Sequence, residues 1–458
     1  METAKQQYDR LTKTPVQKLI IKLSIPTILS MLGTTIYNLV DTAFVGTLGN
    51  SASGAVGVVF GFMAILQAIG FMFGQGAGSL LSRKLGEKNV EEATVIASTG
   101  FACSFLMATV VAILSLIFIN PLVMFLGSTE TIKPYAVTYL YFILATAPLV
   151  VTSFTLNNFL RYEGKAVLGM IGLMTGGFLN IFGDAVFMFG LKMGIAGAGL
   201  STALSQLVSF SILLSMFLRG KTQARLSFKK IRINDFLPID IMSTGFPSLL
   251  RQALGSVGAI VMNYEAARFA GDEAVAAMSI VSRVSFGLFS IALGIGQGFQ
   301  PVCAFNYGAG KYKRLRDGYK FTTFLAEVAM IILAGIALIF SDGIIQIFRD
   351  DPDVIRIGTR ALKLLCSTQI LLPFSMVTEM LMQSSGKKKE ASLLSALRNG
   401  ILYIPALLIL PMIRGLYGVQ EAQPLAYILA VFPAVYYAKK FFKNIPTEDR
   451  EDVISQDE

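Results

Sequence analysis

The amino-acid sequence predicts an all-α membrane protein with twelve transmembrane helices in two pseudo-symmetric six-helix bundles. Of its 458 residues, 54% are hydrophobic and only 15% are charged, and the mean hydropathy is +0.63. This composition is typical of a protein that crosses the bilayer many times. The apolar runs are long and do not alternate with polar residues, which excludes a membrane β-barrel. A repeat within the chain predicts the division into two bundles.

Twelve apolar runs follow one another along the chain, and about 20 residues suffice for each crossing. They cover residues 19–45, 55–81, 93–119, 134–158, 166–190, 195–218, 240–268, 273–302, 318–341, 354–383, 391–413 and 421–438. An even number of crossings places both termini on one side. No cleavable signal peptide is predicted, because the first residues are polar and the first apolar run is too long.

Lys and Arg are divided unequally between the two ends of these runs. The N-terminal segment, the loops on its side and the C-terminal tail carry 28 of them, whereas the opposite loops carry six. The positive-inside rule therefore predicts that both termini are cytoplasmic. The net charge of +10 reflects this topology, so no nucleic-acid partner is expected.

An internal repeat relates the two halves of the chain at an offset of 221 or 222 residues. The matches are Pro26 with Pro247, Gly49 with Gly271, Gly74-Gln75-Gly76 with Gly296-Gln297-Gly298, Gly86 with Gly308, Gly164-Lys165 with Gly386-Lys387, and Gly197 with Gly418. We expect a first lobe at 1–218, a cytoplasmic linker at 219–239, a second lobe at 240–440 and a polar tail at 441–458. Both halves start on the same side, so their symmetry axis follows the membrane normal, and a cavity is expected between them.

Several kinds of chemistry are not predicted. The three cysteines all lie in apolar runs and are interpreted as small buried side chains. The chain has no histidine, so a proton relay would have to use carboxylates. No phosphate-binding loop or catalytic constellation is present, and neither an enzyme nor a cofactor beyond a coupling ion is expected.

Two carboxylates lie inside apolar runs at matching depth. Asp41 follows Tyr37 by four residues in the first run, and Asp184 follows Asn180 by four residues in the fifth. Each pair therefore shares one helix face, and both runs lead outward from the cytoplasm. An acid at membrane depth is costly and indicates function, although hydrogen bonding that only supports packing is the alternative. Thr202 lies in the sixth run, and Asn157 ends the fourth beside Thr155 and Asn158.

The repeat supplies a control for these acids. Asp41 corresponds to Met262 or Asn263, and Asp184 to Pro405 or Ala406. If folding of the six-helix unit required the acids, the second half would need them too. The pair is therefore interpreted as a functional site of the first half. It could share a proton, or it could hold Na⁺ with the oxygens of Asn180 and Thr202.

Several other residues at membrane depth are candidates for structural or functional roles. Glu379 with Arg398, and Arg251 with Glu327, are interpreted as compensating pairs. Arg283, Arg360 and Lys363 lie nearer the outside and could line a cavity. Glu265 is a candidate second coupling acid or a solvated residue near a helix end. Pro26 removes a backbone hydrogen bond in the first helix, which predicts a hinge or a static bend.

The parallel repeat, the Pro26 helix ending in Asp41-Thr42-Ala43-Phe44-Val45-Gly46, and the Asn180/Asp184 helix resemble the multidrug and toxic compound extrusion family, in particular its MepA-like bacterial branch. The resemblance covers about residues 15 to 440. It implies ion coupling by a set of first-lobe residues, Tyr37, Asp41, Asn157, Asn180, Asp184 and Thr202. It also implies acids in the second lobe of some members, for which Glu265 and Glu379 are the nearest counterparts here.

The resemblance further implies the physiological role. It indicates a monomeric, multi-pass protein of the bacterial cytoplasmic membrane that exports bulky, often cationic, amphipathic drugs in exchange for H⁺ or Na⁺ by alternating access. The alternative is a flippase for a lipid-linked saccharide, which extra helices or a cationic central cavity would favour. A membrane scaffold or receptor is a third class, but it would need neither paired acids nor a repeat-centred cavity.

Overall fold

The computed structural model describes residues 2–450, and within them every regular element is helical. The helices are α1 (Ala4–Lys13), α2 (Val16–Gly46), α3 (Asn50–Gly86), α4 (Val90–Ile117), α5 (Ile119–Phe125), α6 (Lys133–Tyr162), α7 (Ala166–Asp184), α8 (Gly194–Leu218), α9 (Leu237–Gly308), α10 (Tyr312–Ile339), α11 (Ser341–Phe348), α12 (Pro352–Gln369), α13 (Leu372–Ser384), α14 (Lys388–Ala396), α15 (Tyr403–Arg414) and α16 (Leu416–Asn444). A π-helical stretch, Ala185–Gly190, continues α7, and another, Leu397–Ile401, joins α14 to α15.

The described helices provide twelve membrane crossings. Ten stretches are long and apolar enough to span a bilayer. One of them, α9, has 72 residues, or about 108 Å of helix, which is far too long for one crossing. Its backbone leaves the helical conformation at Ala270 and Gly271, so α9 crosses twice. The bent pair α12 and α13, which meet at 50°, adds the last crossing. The predicted all-α fold with twelve crossings is confirmed.

Equivalent turns in the two halves use the same backbone conformation. Gly164, after α6, has φ of 76°, and its repeat partner Gly386, after α13, has φ of 82°. Gly49 precedes α3 with φ of 115°, and its partner Gly271 breaks α9 with φ of 73°. Side chains disfavour these positive φ values, which explains why glycine occupies all four positions. The sequence repeat is therefore also a repeat of backbone geometry.

The two halves cross each other through small residues. Gly76 on α3 lies against the Ile241 carbonyl, and Gly245 on α9 lies against the Met72 carbonyl, with no room for a Cβ on either glycine. The repeat-related contact joins α2 to the second arm of α9, where Gly298 lies against Ser24. Helices approach this closely in membranes only where side chains are small.

Contacts between the halves concentrate at one end of the molecule. We call this end the basic face; its loops lie at residues 83–89, 162–165, 219–236, 309–311 and 385–387, and the other end is the opposite face. Among the described residues, the hydrogen bonds between the halves all lie in the half of the molecule nearer the basic face. Gln75, for example, accepts from Ser248 at 2.6 Å, and Ser24 donates to the Ile295 carbonyl at 3.3 Å. A separate apolar core of the second half lies toward the opposite face.

The N-terminal helix α1 lies across the junction of the halves at the basic face. Gln7 and Arg10 donate to the carbonyls of Glu163 and Gly164 in the first half, at 2.9 and 3.1 Å. From the second half, Nε of Arg314 donates to the carbonyl of the buried Leu11 at 3.2 Å. The helix α1 therefore connects both halves at this face.

The linker between α8 and α9 is also attached to the basic face. The Glu163 carboxylate is fully buried and accepts the backbone N–H groups of Gln223 and Ala224, both at 2.9 Å. Burial raises the pKa of Glu163, and Lys165 together with the two N–H donors offsets only part of this effect.

Candidate functional site

The two acids at membrane depth lie next to each other. Asp41 precedes the end of α2 by five residues, and Asp184 precedes the end of the extended α7 helix by six. Asp184 is fully buried and Asp41 is 8% exposed. Their carboxyl groups are within hydrogen-bonding reach of each other when one of them carries a proton. Glycine allows this approach of the two helices, because Gly177 of α7 lies directly against the Tyr37 ring.

Hydroxyl and amide groups of four residues on α6, α7 and α8 surround the pair. The Tyr139 hydroxyl, on α6, is 3.4 Å from Asp41 Oδ2 and 3.4 Å from Thr202 Oγ1. Nδ2 of Asn180 lies 3.2 Å from Thr202 Oγ1, and Ser201 donates to the Asn180 carbonyl at 2.9 Å. The structure thus brings Asn180 and Thr202 to the acids, as the sequence predicts.

Tyr139 and Ser201 belong to this cluster but escaped the sequence analysis. The position of Tyr139 along its helix could have identified it from the sequence. The helix α6 starts at the opposite face, and Tyr139 lies six residues after its first residue, Lys133. This is the same distance from the helix end as that of Asp184. Ser201 directly precedes Thr202, and no feature of the sequence distinguishes it as a site residue.

The acids have few partners for their negative charge. Within the described chain, neither oxygen of Asp184 has a hydrogen-bond donor, and Asp41 Oδ1 also lacks one. The nearby Ser201 hydroxyl donates to the Asn180 carbonyl instead. Buried polar atoms without partners are rare in native proteins and indicate a bound ion, a proton or ordered water.

A small cavity of about 20 Å³ lies beside the cluster, toward the basic face. Its lining comes entirely from the first half and includes Thr34, Tyr37, Asn180, Thr202, Ser205, Gln206 and Ser209. The Tyr37 side chain hydrogen-bonds to Gln206. Asn157 is not part of this pocket: it packs against Gly169, fifteen residues before Asp184 on the same helix.

The model of the MatE family matches residues 26–186 and again residues 247–409, which together exceed half of the chain. The chain belongs to the MatE family. The two matches start 221 residues apart, the offset that the glycine and proline repeat shows. The predicted relationship to multidrug and toxic compound extrusion proteins is confirmed.

Relatives of this MatE chain align over nearly its whole length. The multidrug export protein MepA of Staphylococcus haemolyticus is 26% identical over 443 residues, covering 96% of this chain and 97% of the relative. A MATE crystal structure in the bent conformation superposes with a TM-score of 0.90 at 24% identity, covering 96% of this chain and 98% of that one. An outward-facing multidrug resistance MATE transporter gives 0.89 at 24% identity, with 95% and 98% covered.

The second half of this MatE chain has charged residues in a different arrangement. Glu379 is fully buried between two arginines, 2.7 Å from Arg251 and 2.7 Å from Arg398. The predicted pair of Glu379 with Arg398 is therefore present. The prediction that Arg251 pairs with Glu327 was wrong, because Arg251 lies on the first arm of α9, whose close crossing with α3 turns it toward Gln75 and Glu379.

The remaining candidate charges lie apart from the acid pair. Glu265 is 2% exposed and lies 3.6 Å from the exposed Arg268, one turn further along α9. Arg360 stacks over the Tyr417 ring at 3.5 Å, and Lys363 lies 3.9 Å from Asp342. Arg283 is exposed on the second arm of α9, twelve residues after the Gly271 break.

Proposed function

We propose that this MatE protein is a secondary active multidrug exporter that couples efflux of bulky, often cationic, amphipathic compounds to inward movement of H⁺ or Na⁺. The observation that supports this proposal most strongly is the adjacent pair of Asp41 and Asp184. The pair is buried, has few hydrogen-bond donors and is present in only one half of the repeat. The names of its relatives, multidrug export proteins, support the substrate class. An ion-coupled antiporter, and not an enzyme, is the activity that this site supports.

The acid pair suits a coupling role for an electrostatic reason. Two carboxylates that lie side by side at low dielectric repel each other strongly when both are ionised. A proton shared between them, or an Na⁺ ion among oxygens, removes this repulsion. Asp41, Asp184, Asn180 and Thr202 offer carboxylate, amide and hydroxyl oxygens, which are ligands that a hard cation accepts. Ion binding therefore changes the net charge of the site and can favour one conformation over another.

The asymmetry of the contacts between the halves supports an alternating-access cycle. The halves are bonded through Gln75, Ser24 and α1 near the basic face, so this conformation is closed there. We place the basic face in the cytoplasm of a bacterium, because the Lys and Arg excess follows the positive-inside rule. The conformation would then be open to the outside, ready to release a drug or to take up the coupling ion. A monomer is sufficient, since one chain carries both halves.

The test is drug transport by purified protein in proteoliposomes. Vesicles receive a fluorescent cationic amphiphile such as ethidium, and a proton gradient or a sodium gradient is imposed separately. We expect uptake to follow one of the two gradients and to stop when an ionophore collapses it. Transport whose rate depends on neither gradient, or the absence of transport of any cationic amphiphile, would contradict the proposal.

A flippase for lipid-linked saccharides is the second candidate, and the arginines Arg251 and Arg398 are the observation in its favour. They outnumber their one acidic partner, Glu379, as a site for a pyrophosphate would require. However, both arginines are buried and already bonded to Glu379, so no free cationic surface is formed. Transbilayer movement of a fluorescent pyrophosphate-linked lipid, measured in the same vesicles, distinguishes this function from drug export.

A further inference from the structure

The linker at residues 219–239 carries an apolar surface that the rest of the described chain leaves uncovered. Four of its large side chains are exposed: Phe228 by 88%, Phe236 by 82%, Ile239 by 64% and Ile233 by 50%. The same stretch has six basic residues, Arg219, Lys221, Arg225, Lys229, Lys230 and Arg232, and Asp235 is its only acid. Exposed apolar side chains mixed with basic ones are typical of a segment that lies at a membrane surface.

The linker is fixed to the first turns of α4, at the depth where the apolar part of that helix begins. Three linker N–H groups donate to buried hydroxyls of α4: Arg225 to Thr94 at 3.3 Å, Ser227 to Ser98 at 2.9 Å and Arg232 to Thr99 at 3.0 Å. Thr99 lies six residues, or about 9 Å, beyond the start of the apolar run at residue 93. Most residues in the apolar part of α4 are not buried, as expected of a helix that faces lipid. The linker therefore lies beside a lipid-facing helix, at the level of the membrane surface.

The second half indicates that these hydroxyls serve the linker and not the fold. At the offset of 222 residues that Gly86 and Gly308 define, Thr94, Ser98 and Thr99 correspond to Arg316, Lys320 and Phe321 on α10. Arg316 donates to the Phe442 carbonyl of α16 at 3.1 Å, so this part of the second half is held by a different contact. The three hydroxyls occur only in the half that the linker covers, and their role there is to hold the linker at this depth.

The basic side chains of the linker leave an excess of positive charge at this surface. Lys230 lies 3.0 Å from Glu91, and Arg232 lies 3.5 Å from Glu92, both in the first turn of α4. Water reaches both ion pairs, so they hold their cations only weakly. Together with Asp235, the two glutamates are three acids against six cations. The phosphate groups of anionic lipids complement this excess, because each Lys or Arg near the membrane surface adds to the attraction.

We propose that the linker is an interfacial anchor that binds the anionic lipid surface at the basic face. Phe228, Phe236 and Ile239 enter the boundary between the lipid headgroups and the acyl chains, and Lys229 and Arg232 contact the lipid phosphates. The linker joins the two halves of the molecule, and Phe236 directly precedes α9. The lipid therefore contacts the segment that connects α9 to the first half. This inference does not rest on drug transport, because it concerns a surface and its lipid partner.

The first test measures the depth of the linker in a membrane. The chain has no tryptophan, so a single introduced tryptophan reports on its own surroundings. Phe228→Trp and Phe236→Trp are placed in nanodiscs of phosphatidylcholine and phosphatidylglycerol. Their emission is quenched either by lipids with brominated acyl chains or by iodide in the buffer. Phe324→Trp, exposed in the middle of α10, is the control for lipid, and Glu87→Trp, exposed in the turn after α3, is the control for water.

Brominated lipid should quench the linker tryptophans at least about half as strongly as Phe324→Trp, because both linker positions reach the acyl boundary. Iodide should quench them less than Glu87→Trp. Iodide quenching equal to that of Glu87→Trp, without quenching by brominated lipid, would overturn the proposal and leave a surface for a soluble partner.

The second test asks whether the lipid partner is anionic. Nanodiscs with Phe228→Trp receive the same mole fraction of brominated lipid, either as phosphatidylglycerol or as phosphatidylcholine. We expect the anionic lipid to be enriched about fivefold at the tryptophan, and therefore to quench it more strongly. Adding Lys229→Gln/Lys230→Gln/Arg232→Gln should abolish this preference. The backbone bonds to α4 use N–H groups, so these substitutions leave them in place.

The matched control is Lys439→Gln/Lys440→Gln/Lys443→Gln, which makes the same change of charge on α16 and should keep the preference. Equal quenching by the two lipids in Phe228→Trp itself would contradict the binding of anionic lipid. An equal loss of preference in the two triple variants would show that the linker cations are not the binding groups.

Discussion

At the scale of residues, the central feature is a pair of acids whose charge is poorly compensated. Asp41 and Asp184 could be matched from the sequence, because both lie at the same depth on helices that run in the same direction. Tyr139 was missed, because its helix runs the other way and it comes 98 residues after Asp41. Asn157 was placed with the acids by resemblance alone, and the structure puts it against Gly169 instead. Side-chain contacts of this kind depend on helix rotation, which apolar runs do not reveal.

Asp41→Asn and Asp184→Asn should each abolish ion-coupled drug export while leaving a folded, inserted protein. Asparagine keeps the size of the side chain but cannot bind a proton or compensate a cation. The equivalent positions of the second half, Met262 or Asn263 and Pro405 or Ala406, carry no acid in the same fold, so we expect the structure to tolerate the loss of charge. Export is measured in proteoliposomes, and folding by thermal unfolding in detergent. Wild-type transport by both variants would remove the basis of the coupling role.

At the scale of elements, the helix α2 carries both Pro26 and Asp41, one member of the acid pair. Pro26 is buried within this continuous helix of 31 residues, and it lies fifteen residues, or about 22 Å, before Asp41. Charge at Asp41 therefore cannot act on Pro26 directly, and an effect must pass along the helix. Because proline leaves the Lys22 carbonyl without its helical donor, the backbone bends most easily there.

Pro26→Ala should slow transport and have a smaller effect on drug binding at equilibrium. Alanine restores the helical hydrogen bond and stiffens α2, so a movement of its outer end would cost more energy. Spin-label distances across Pro26 should change with pH or Na⁺ in the parent protein and much less in the variant. If these distances are constant and Pro26→Ala transports normally, Pro26 is only a static bend.

At the scale of the whole molecule, the sequence repeat and the structure agree in detail. The number of crossings was accessible from the apolar runs, and the paired glycine turns and the spacing between the two family matches from glycine and proline positions. The contacts that close the basic face were not, because they join residues far apart in the chain, such as Arg314 and Leu11. The partner of Arg251 was mispredicted for the same reason: depth alone does not tell which helix a side chain faces.

Arg314→Ala should shift the molecule toward a state that is open at the basic face. Its guanidinium bonds the carbonyls of Leu11 and Thr14, so the variant weakens the attachment of the second half to α1, where the Asn306 amide still donates to the Leu11 carbonyl. We expect Cys303, which is fully buried in this conformation, to react about tenfold faster with a thiol reagent. Arg316→Ala is the matched control, because Arg316 bonds Phe442 within the second half. Equal rates in the two variants would show that α1 does not hold the halves together.

The most direct test of the coupling claim is ion movement driven by the drug itself. Vesicles with no ion gradient are given a gradient of ethidium, and proton and sodium fluxes are recorded with the parent protein and with Asp41→Asn. We predict that one of the two ions moves in the direction opposite to the drug, and that the variant abolishes this counterflow. Drug movement without any counterflow, or counterflow that persists in Asp41→Asn, would contradict the assignment of the acid pair as the coupling site.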